Sequence, residues 1–279
     1  MKKYSKLAAL VLAGALMFSV TACTSAPASS GAEAGSSSAA GASSEAGSEA
    51  ANGALDKIKA NGYITMSTNA EFEPFEFLEG TEFKGIDIEI SQKIAEKLGV
   101  ELKINNTSFD SLPLELEKDK CDFVAAGMTI DPKKNIDFTN PYFDASQAII
   151  VTVDSDIKSA DDLVGKRIGV QLGTTGDTYC TENIEGAQMS RMNKGMDAVA
   201  DLIKGNIDAV VIDDYPANKL VEKNPDKVKV LDKALTVEQY GLAVKKGNTD
   251  LLNLLNDVLK ELQDSGELNT IVDKYIGEE

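Results

Sequence analysis

RIGVQLGTTGDTY, residues 167–179, reads as a strand, a glycine–threonine loop and the first turn of a helix. Arg167–Val170 supplies the β-rich run, and a helix is expected from near Thr175. Between them, Gln171-Leu172-Gly173-Thr174-Thr175-Gly176-Asp177 places glycines and threonines at a helix start. Backbone N–H groups there lack intrahelical partners and suit an anion. The Gly-Lys-Ser/Thr ending of a nucleotide-binding P-loop is missing. On its own the loop names no ligand.

The same alternation runs outward in both directions. Downstream come strand Gln188–Met192, helix Met196–Lys204, strand Asp208–Ile212, a helix from Asp213 or Asp214, and strand Val228–Leu231. The chain then closes with strand Gly241–Val244 and helices over Asp250–Asp264 and Leu268–Tyr275. Upstream lie strand Ala148–Val153 and a short helix, Ala160–Val164. Earlier still, strand Tyr63–Ser67 precedes a helix carrying Ile86, Ile90, Ile94 and Leu98 at helical spacing, with Gly99 placed to end it. Strand Val100–Ile104, helix Leu112–Glu117 and strand Asp122–Ala126 complete the first half. Strand–helix alternation predicts an α/β protein with mainly parallel sheets, and so many units suit two sheets better than one.

Ligands of such folds collect beyond the carboxyl ends of strands. That rule nominates the loop above and three further segments. Asn69–Phe77 (NAEFEPFEF) follows the first strand, although its aromatics would serve equally as core. Ala126-Gly127-Met128-Thr129 ends a buried strand with a glycine and a hydroxyl. Val211-Ile212-Asp213-Asp214 ends another with paired carboxylates, and Asp213 is placed equally well to cap the next helix.

Composition narrows the chemistry. The 279 residues are 43% apolar, enough for a sizeable core, and the formal charge is −17. Lys2, Lys3 and Lys6 cancel Glu33, Glu45 and Glu49, so residues 54–279 carry that whole charge. A body this acidic repels phosphate backbones, and no nucleic-acid partner is expected. The chain has no histidine, which removes Ser-His-Asp triads, Cys-His dyads and histidine zinc sites. No metal or cofactor is expected.

The N-terminus reads as an address. Three lysines precede the apolar run Leu7–Val20, shorter than the ~20 residues that a spanning helix needs. Val20-Thr21-Ala22-Cys23 resembles a bacterial lipobox, which implies cleavage after residue 22 and acylation of Cys23. Multiple acyl chains anchor firmly, so the mature protein is expected on the extracytoplasmic face of the cell membrane. Thr24–Gly53 is almost entirely Ser, Ala, Gly and Glu and is expected to be a disordered tether. Cys121 and Cys180 sit in locally apolar stretches and are expected to be free buried thiols.

The order and spacing of TNAEFEPFEF (68–77), FKGIDIEISQKIAEKLGV (83–100), FDSL (109–112), DFVAAGMTI (122–130), IDFTNPYFDASQAIIV (136–151), DLVGKRIGVQLGTTGDTY (162–179), DAVVIDDYPA (208–217) and EQYGLAVKKGN (238–248) resemble the family 3 extracellular solute-binding proteins, amino-acid receptors of ABC importers. The resemblance covers residues 55–279 with few gaps. It implies a two-lobe, type II periplasmic-binding-protein-like fold whose lobes close on a ligand. Crossovers are expected near Ala145–Ser146 and Val237–Tyr240, giving one lobe of 54–145 plus 238–279 and another of 146–237. The implied partners are a small amino acid, an ABC permease and the membrane, with the protein itself a monomer.

Matched position by position, Phe72 resembles the aromatic that covers the ligand, and Phe109 a second wall. Gly127 would offer backbone, and Thr129 its hydroxyl and N–H, to the ligand carboxylate. Thr175 would meet that carboxylate from the other lobe, and Asp213 would pair with the α-ammonium. Gln147 and Gln171 fall where a side chain is read. One stretch departs from the family: Thr129-Ile130-Asp131-Pro132-Lys133-Lys134-Asn135 lacks the arginine that clamps the carboxylate. Lys133 or Lys134 is left to replace it, as a point charge without the planar fork. Other readings of the same resemblance are an enzyme using carboxylates such as Glu71, Glu73 and Asp213, and a sensory binding module.

Overall fold

The computed structural model describes residues 53–277. The expected signal peptide, the acylated Cys23 and most of the tether lie outside the described residues.

Two five-stranded mixed sheets form the two lobes. In the first, the order is Glu101–Asn106, Tyr63–Thr68, Phe123–Val124, Ala243–Lys245, Ile136–Phe138. In the second it is Gln188–Met192, Arg167–Gln171, Ala209–Asp213, Gln147–Thr152, Val228–Val230. The strand–helix–strand units pair in parallel, as alternation predicts: Tyr63–Thr68 with its two neighbours and Arg167–Gln171 with its two. Antiparallel pairing enters where the chain changes lobe. Gln147–Thr152 runs against both Ala209–Asp213 and Val228–Val230, and Ala243–Lys245 against Phe123–Val124 and Ile136–Phe138. Between these insertions, Phe143–Ala145 and Glu238–Tyr240 pair with each other, Glu238 opposite Ala145 and Tyr240 opposite Phe143.

Helix Ile86–Leu98 shows why the sequence pattern works. Ile86, Ile90 and Ile94 bury one face, and Gly99 ends the helix in the left-handed region with its N–H on the Ala95 and Glu96 carbonyls. Helix Thr249–Ser265 does the same with Leu251, Leu255, Val258, Leu259 and Leu262, stopping at Gly266. Fully burying each such side chain contributes about 1.5–3 kcal/mol. No helix among the described residues is long and apolar enough to cross a membrane.

The core is continuous between the lobes. Phe75 meets Phe143 and Tyr240 edge-on at 4.9 and 5.0 Å between ring centroids, and Phe143 meets Tyr215 at 5.2 Å. The aromatics of the NAEFEPFEF segment therefore divide their labour. Phe75 is wholly buried in this junction, whereas Phe72 reaches the cleft. Cys121 and Cys180 are unpaired and buried, which pushes their thiols up to about 11 and about 12.

Several elements escaped the sequence reading. Helix Ala54–Asn61, the small sheet of Glu71–Phe72, Glu76–Glu79 and Glu82–Lys84, and the strands Ile136–Phe138, Phe143–Ala145 and Glu238–Tyr240 were not predicted. Most are too short to establish a period. Gly241 lies outside the last strand, which runs Ala243–Lys245.

Candidate functional site

Five chain segments leave the carboxyl ends of strands and converge between the lobes. From the first lobe come Phe72, Phe109, Gly127, Thr129 and Lys134; from the second, Gln171, Thr174, Thr175 and Asp213. They line a narrow cleft whose atom-free space, open solvent included, is about 320 Å³. Lys133 and Gln147 are not among the lining residues. Lys133 is exposed and turns its backbone N–H to the Asp131 carboxylate. Gln147 is wholly buried beneath the site, its Nε2 3.4 Å from Glu238 Oε2.

Each wall has a local cause. Gly127 sits at φ +51, and a Cβ there would fall 2.7 Å from the Phe72 ring, so only glycine admits the aromatic. The Gly127 N–H donates to Asp87 Oδ2 at 2.8 Å, and Tyr142 O–H donates to Asp87 Oδ1 at 2.7 Å. The backbone expected at Gly127 to meet a ligand carboxylate thus has its N–H used within the lobe, leaving the carbonyl. Thr129 forms an isolated antiparallel bridge with Tyr240. The bonds flanking it, Ile130 N–H to Gln239 O and Gly241 N–H to Met128 O, leave the Thr129 N–H pointing away from the partner strand. Its hydroxyl donates to Glu238 Oε2 at 2.7 Å.

On the second lobe, helix Thr175–Asn183 starts at the cavity. Thr174 caps it by accepting the Asp177 N–H on its hydroxyl oxygen at 3.3 Å. The first-turn N–H groups of Thr175 and Gly176 have no intrahelical partner. Gly176 lies so close to strands Gln147–Thr152 and Ala209–Asp213 that a Cβ would sit 2.7 Å from Gln147 Oε1 and 3.1 Å from the Val211 carbonyl. Gln171 spans the lobes, its Nε2 donating to Asn69 Oδ1 at 2.9 Å.

Asp213 ends its strand at the cap position of helix Asp214–Glu222 but makes no side-chain capping bond. Its Oδ2 instead accepts the Tyr240 hydroxyl at 2.5 Å. Burial pushes its carboxyl up to about 7, the negative charge of Glu238 adds to the rise, and the bonds from Tyr240 and Gln147 oppose it. Burial likewise lifts Asp87 to about 6 and Glu76 well above the carboxylate range, with the Asp87 charge adding to the Glu76 shift. No donor reaches either Glu76 oxygen, so nothing offsets the burial that disfavours its ionised form. Lys134 is half-buried with its Nζ 5.8 Å from the Phe109 ring centroid. Burial lowers its ammonium from the usual lysine range, against the pull of Asp131.

The arginines are engaged elsewhere: Arg167 holds Asp208, and Arg191 holds Asp177. Glu71 and Glu73 also lie off the cavity wall. They pair across the lobes with Lys194, at 2.6 Å, and with Lys223. Among the described residues, no group of three or more Cys, Asp or Glu side chains is placed to hold a metal ion. Sequence reasoning missed Thr174, Glu238 and Tyr240. No local pattern marked Glu238, which opens the three-residue strand Glu-Gln-Tyr.

Residues 64–278 match the model of the bacterial extracellular solute-binding proteins, family 3. The chain belongs to that family. It is 33% identical over 234 residues to the L-cystine-binding protein TcyJ of Escherichia coli K12, covering 82% of this chain and 88% of that one. It is 32% identical to the arginine-binding extracellular protein ArtP of Bacillus subtilis 168, covering 76% and 85%. Among solved structures, the arginine-bound, truncated ArgBP of T. maritima superposes with a TM-score of 0.72 at 44% identity, covering 74% of this chain and 99% of that one. The fold is that of type II periplasmic binding proteins, and the solute-binding role of the family is that of this chain.

Proposed function

We propose that the cleft captures one free α-amino acid by both of its charged ends and that lobe closure presents the loaded protein to an ABC permease. The observation that carries this reading is the opposition of charges in one small cavity. Buried Asp213 stands on one wall, while the Thr129 N–H, the open first turn at Thr175 and the Lys134 ammonium offer donors for a carboxylate. In this reading Asp213 pairs with the α-ammonium and Lys134 replaces the family's arginine as a point charge. Phe72 and Phe109 wall the ligand, and Gln171 reads its side chain. The hinge would lie where Phe143–Ala145 pairs with Glu238–Tyr240, between lobes of 54–145 plus 238–279 and 146–237.

Cystine and arginine, the ligands in the relatives' names, differ in side chain but share the α-amino-acid end that this arrangement fits. Capture without turnover is the reading favoured here, because Glu71 and Glu73, the other candidate acids, are tied up in ion pairs outside the cavity. Anchoring through acylated Cys23 completes the proposal, with the protein monomeric on the extracytoplasmic face. A thermal-shift screen of the common amino acids and cystine tests the core of it. At least one should raise the melting temperature saturably, because a ligand that binds only the native state stabilises it. No response to any of them would end the reading. Loss of palmitate labelling in Cys23→Ala is the matching test for the anchor.

A further inference from the structure

We infer that Glu238 is the second carboxylate of the ammonium pocket, a positioning residue that makes the Thr129 hydroxyl an acceptor and restricts the site to ligands with a free cationic amine. The inference rests on the proposed amino-acid function.

The geometry starts in the crossover strand Glu238–Tyr240. Pairing with Phe143–Ala145 requires no acid there, yet Glu238 is only 7% exposed. Its Oε1 accepts the Thr236 hydroxyl at 2.6 Å. Its Oε2 accepts the Thr129 hydroxyl at 2.7 Å and Gln147 Nε2 at 3.4 Å. All three donors are neutral. Among the described residues no lysine or arginine forms an ion pair with Glu238 or with Asp213. Buried charge without a counter-ion is costly, and the cost falls when a cation enters from solvent. The α-ammonium is that cation.

The hydroxyl of Thr129 carries one proton, and that proton is directed at Glu238. Toward the cavity, which Thr129 lines, its oxygen therefore offers lone pairs only. It receives an ammonium N–H and does not serve the ligand carboxylate, which is left to the Thr129 N–H. Asp213 has one oxygen occupied by Tyr240 and one remaining. Two acceptors thus converge on the amine, each backed by an anion.

The groups that face Asp213 are Glu238 and Tyr240 from the crossover strand, Asp214 beside it, Gln147 from the adjoining strand and Glu76 from the first lobe's small sheet. Lys134 is the cation among the residues lining the cavity. An amino acid acylated on nitrogen, or a 2-oxo acid in place of the amine, would leave both carboxylates without a counter-charge.

Glu238→Gln keeps the size and the acceptor for Thr129 and removes the charge. Two readouts separate a positioning role from a merely structural one. In ligand-free protein, carbon-13 NMR follows the carboxyl of Asp213, assigned by its loss in Asp213→Asn; its midpoint, near 7 in the parent, should fall in Glu238→Gln. At pH 8, calorimetric affinity for whichever of L-arginine, L-histidine, L-glutamine or L-cystine the parent binds should weaken about tenfold. The pH below which binding is lost should meanwhile move to lower values. A Glu238→Gln protein that only melts earlier, with the Asp213 midpoint and the affinity unchanged, overturns the inference while the function stands. A parent that binds none of these amino acids at millimolar concentration sinks the proposed function and Glu238's role with it.

Discussion

Asp213→Asn should make the ligand-free protein more stable and a worse receptor. The carboxyl titrates near 7 in the fold against an ordinary value of 3.8. Because the folded value is raised, the group favours folding when protonated and loses that advantage as pH rises through about 7. Above that pH the ionised form costs the native state about 4 kcal/mol relative to the unfolded chain, by linkage. Asparagine has no such charge and still accepts the Tyr240 hydroxyl. At pH 8 the variant should therefore melt higher, on the order of 10 °C for a body of this size. The gap should narrow on acidification toward pH 5. Binding moves the other way, since a charge-assisted bond worth about 1.5–3 kcal/mol is lost and affinity drops roughly ten- to a hundredfold. Differential scanning calorimetry between pH 5 and 8, with titration calorimetry at pH 8, reads both effects. An Asp213→Asn protein that melts lower at pH 8, or binds as tightly as the parent, refutes the reasoning.

Other expectations follow from the same geometry. Lys134→Met should weaken binding of an amino acid about tenfold while leaving its carboxamide analogue unaffected, because only the former presents a carboxylate. Glu71–Lys194 and Glu73–Lys223 join the lobes, and both lysines are partly exposed. Each pair contributes at most ~1 kcal/mol, so raising salt should speed ligand release a few-fold, and the Glu71→Gln, Glu73→Gln double variant should lose that dependence in stopped-flow traces. Gly127→Ala sets a Cβ 2.7 Å from the Phe72 ring at a backbone φ of +51 and should abolish detectable calorimetric binding.

The long elements were legible because burial writes a period into them. Ile86, Ile90 and Ile94 announce their helix, and the apolar run before Asp213 announces its strand. Site segments were legible for a related reason: a strand that stops at glycine, threonine or aspartate places its next residues at the sheet edge. The antiparallel insertions were not, because Ile136–Phe138 and Ala243–Lys245 find partners through crossovers distant in sequence, which no local pattern encodes. Hydrogen-bond direction was hidden as well. Nothing in DFVAAGMTI says that the Gly127 N–H is spent on Asp87 or the Thr129 hydroxyl on Glu238. Those assignments need residues 40 and 109 positions away.

In the proposed mode of binding the cavity grips a zwitterion at both ends. The most direct test is titration calorimetry with an amino acid found by the screen, its carboxamide and its N-acetyl derivative, all at pH 8. Tight one-to-one binding of the parent compound, with both derivatives weaker by tenfold or more, is the predicted result. Equal affinity for all three would contradict it.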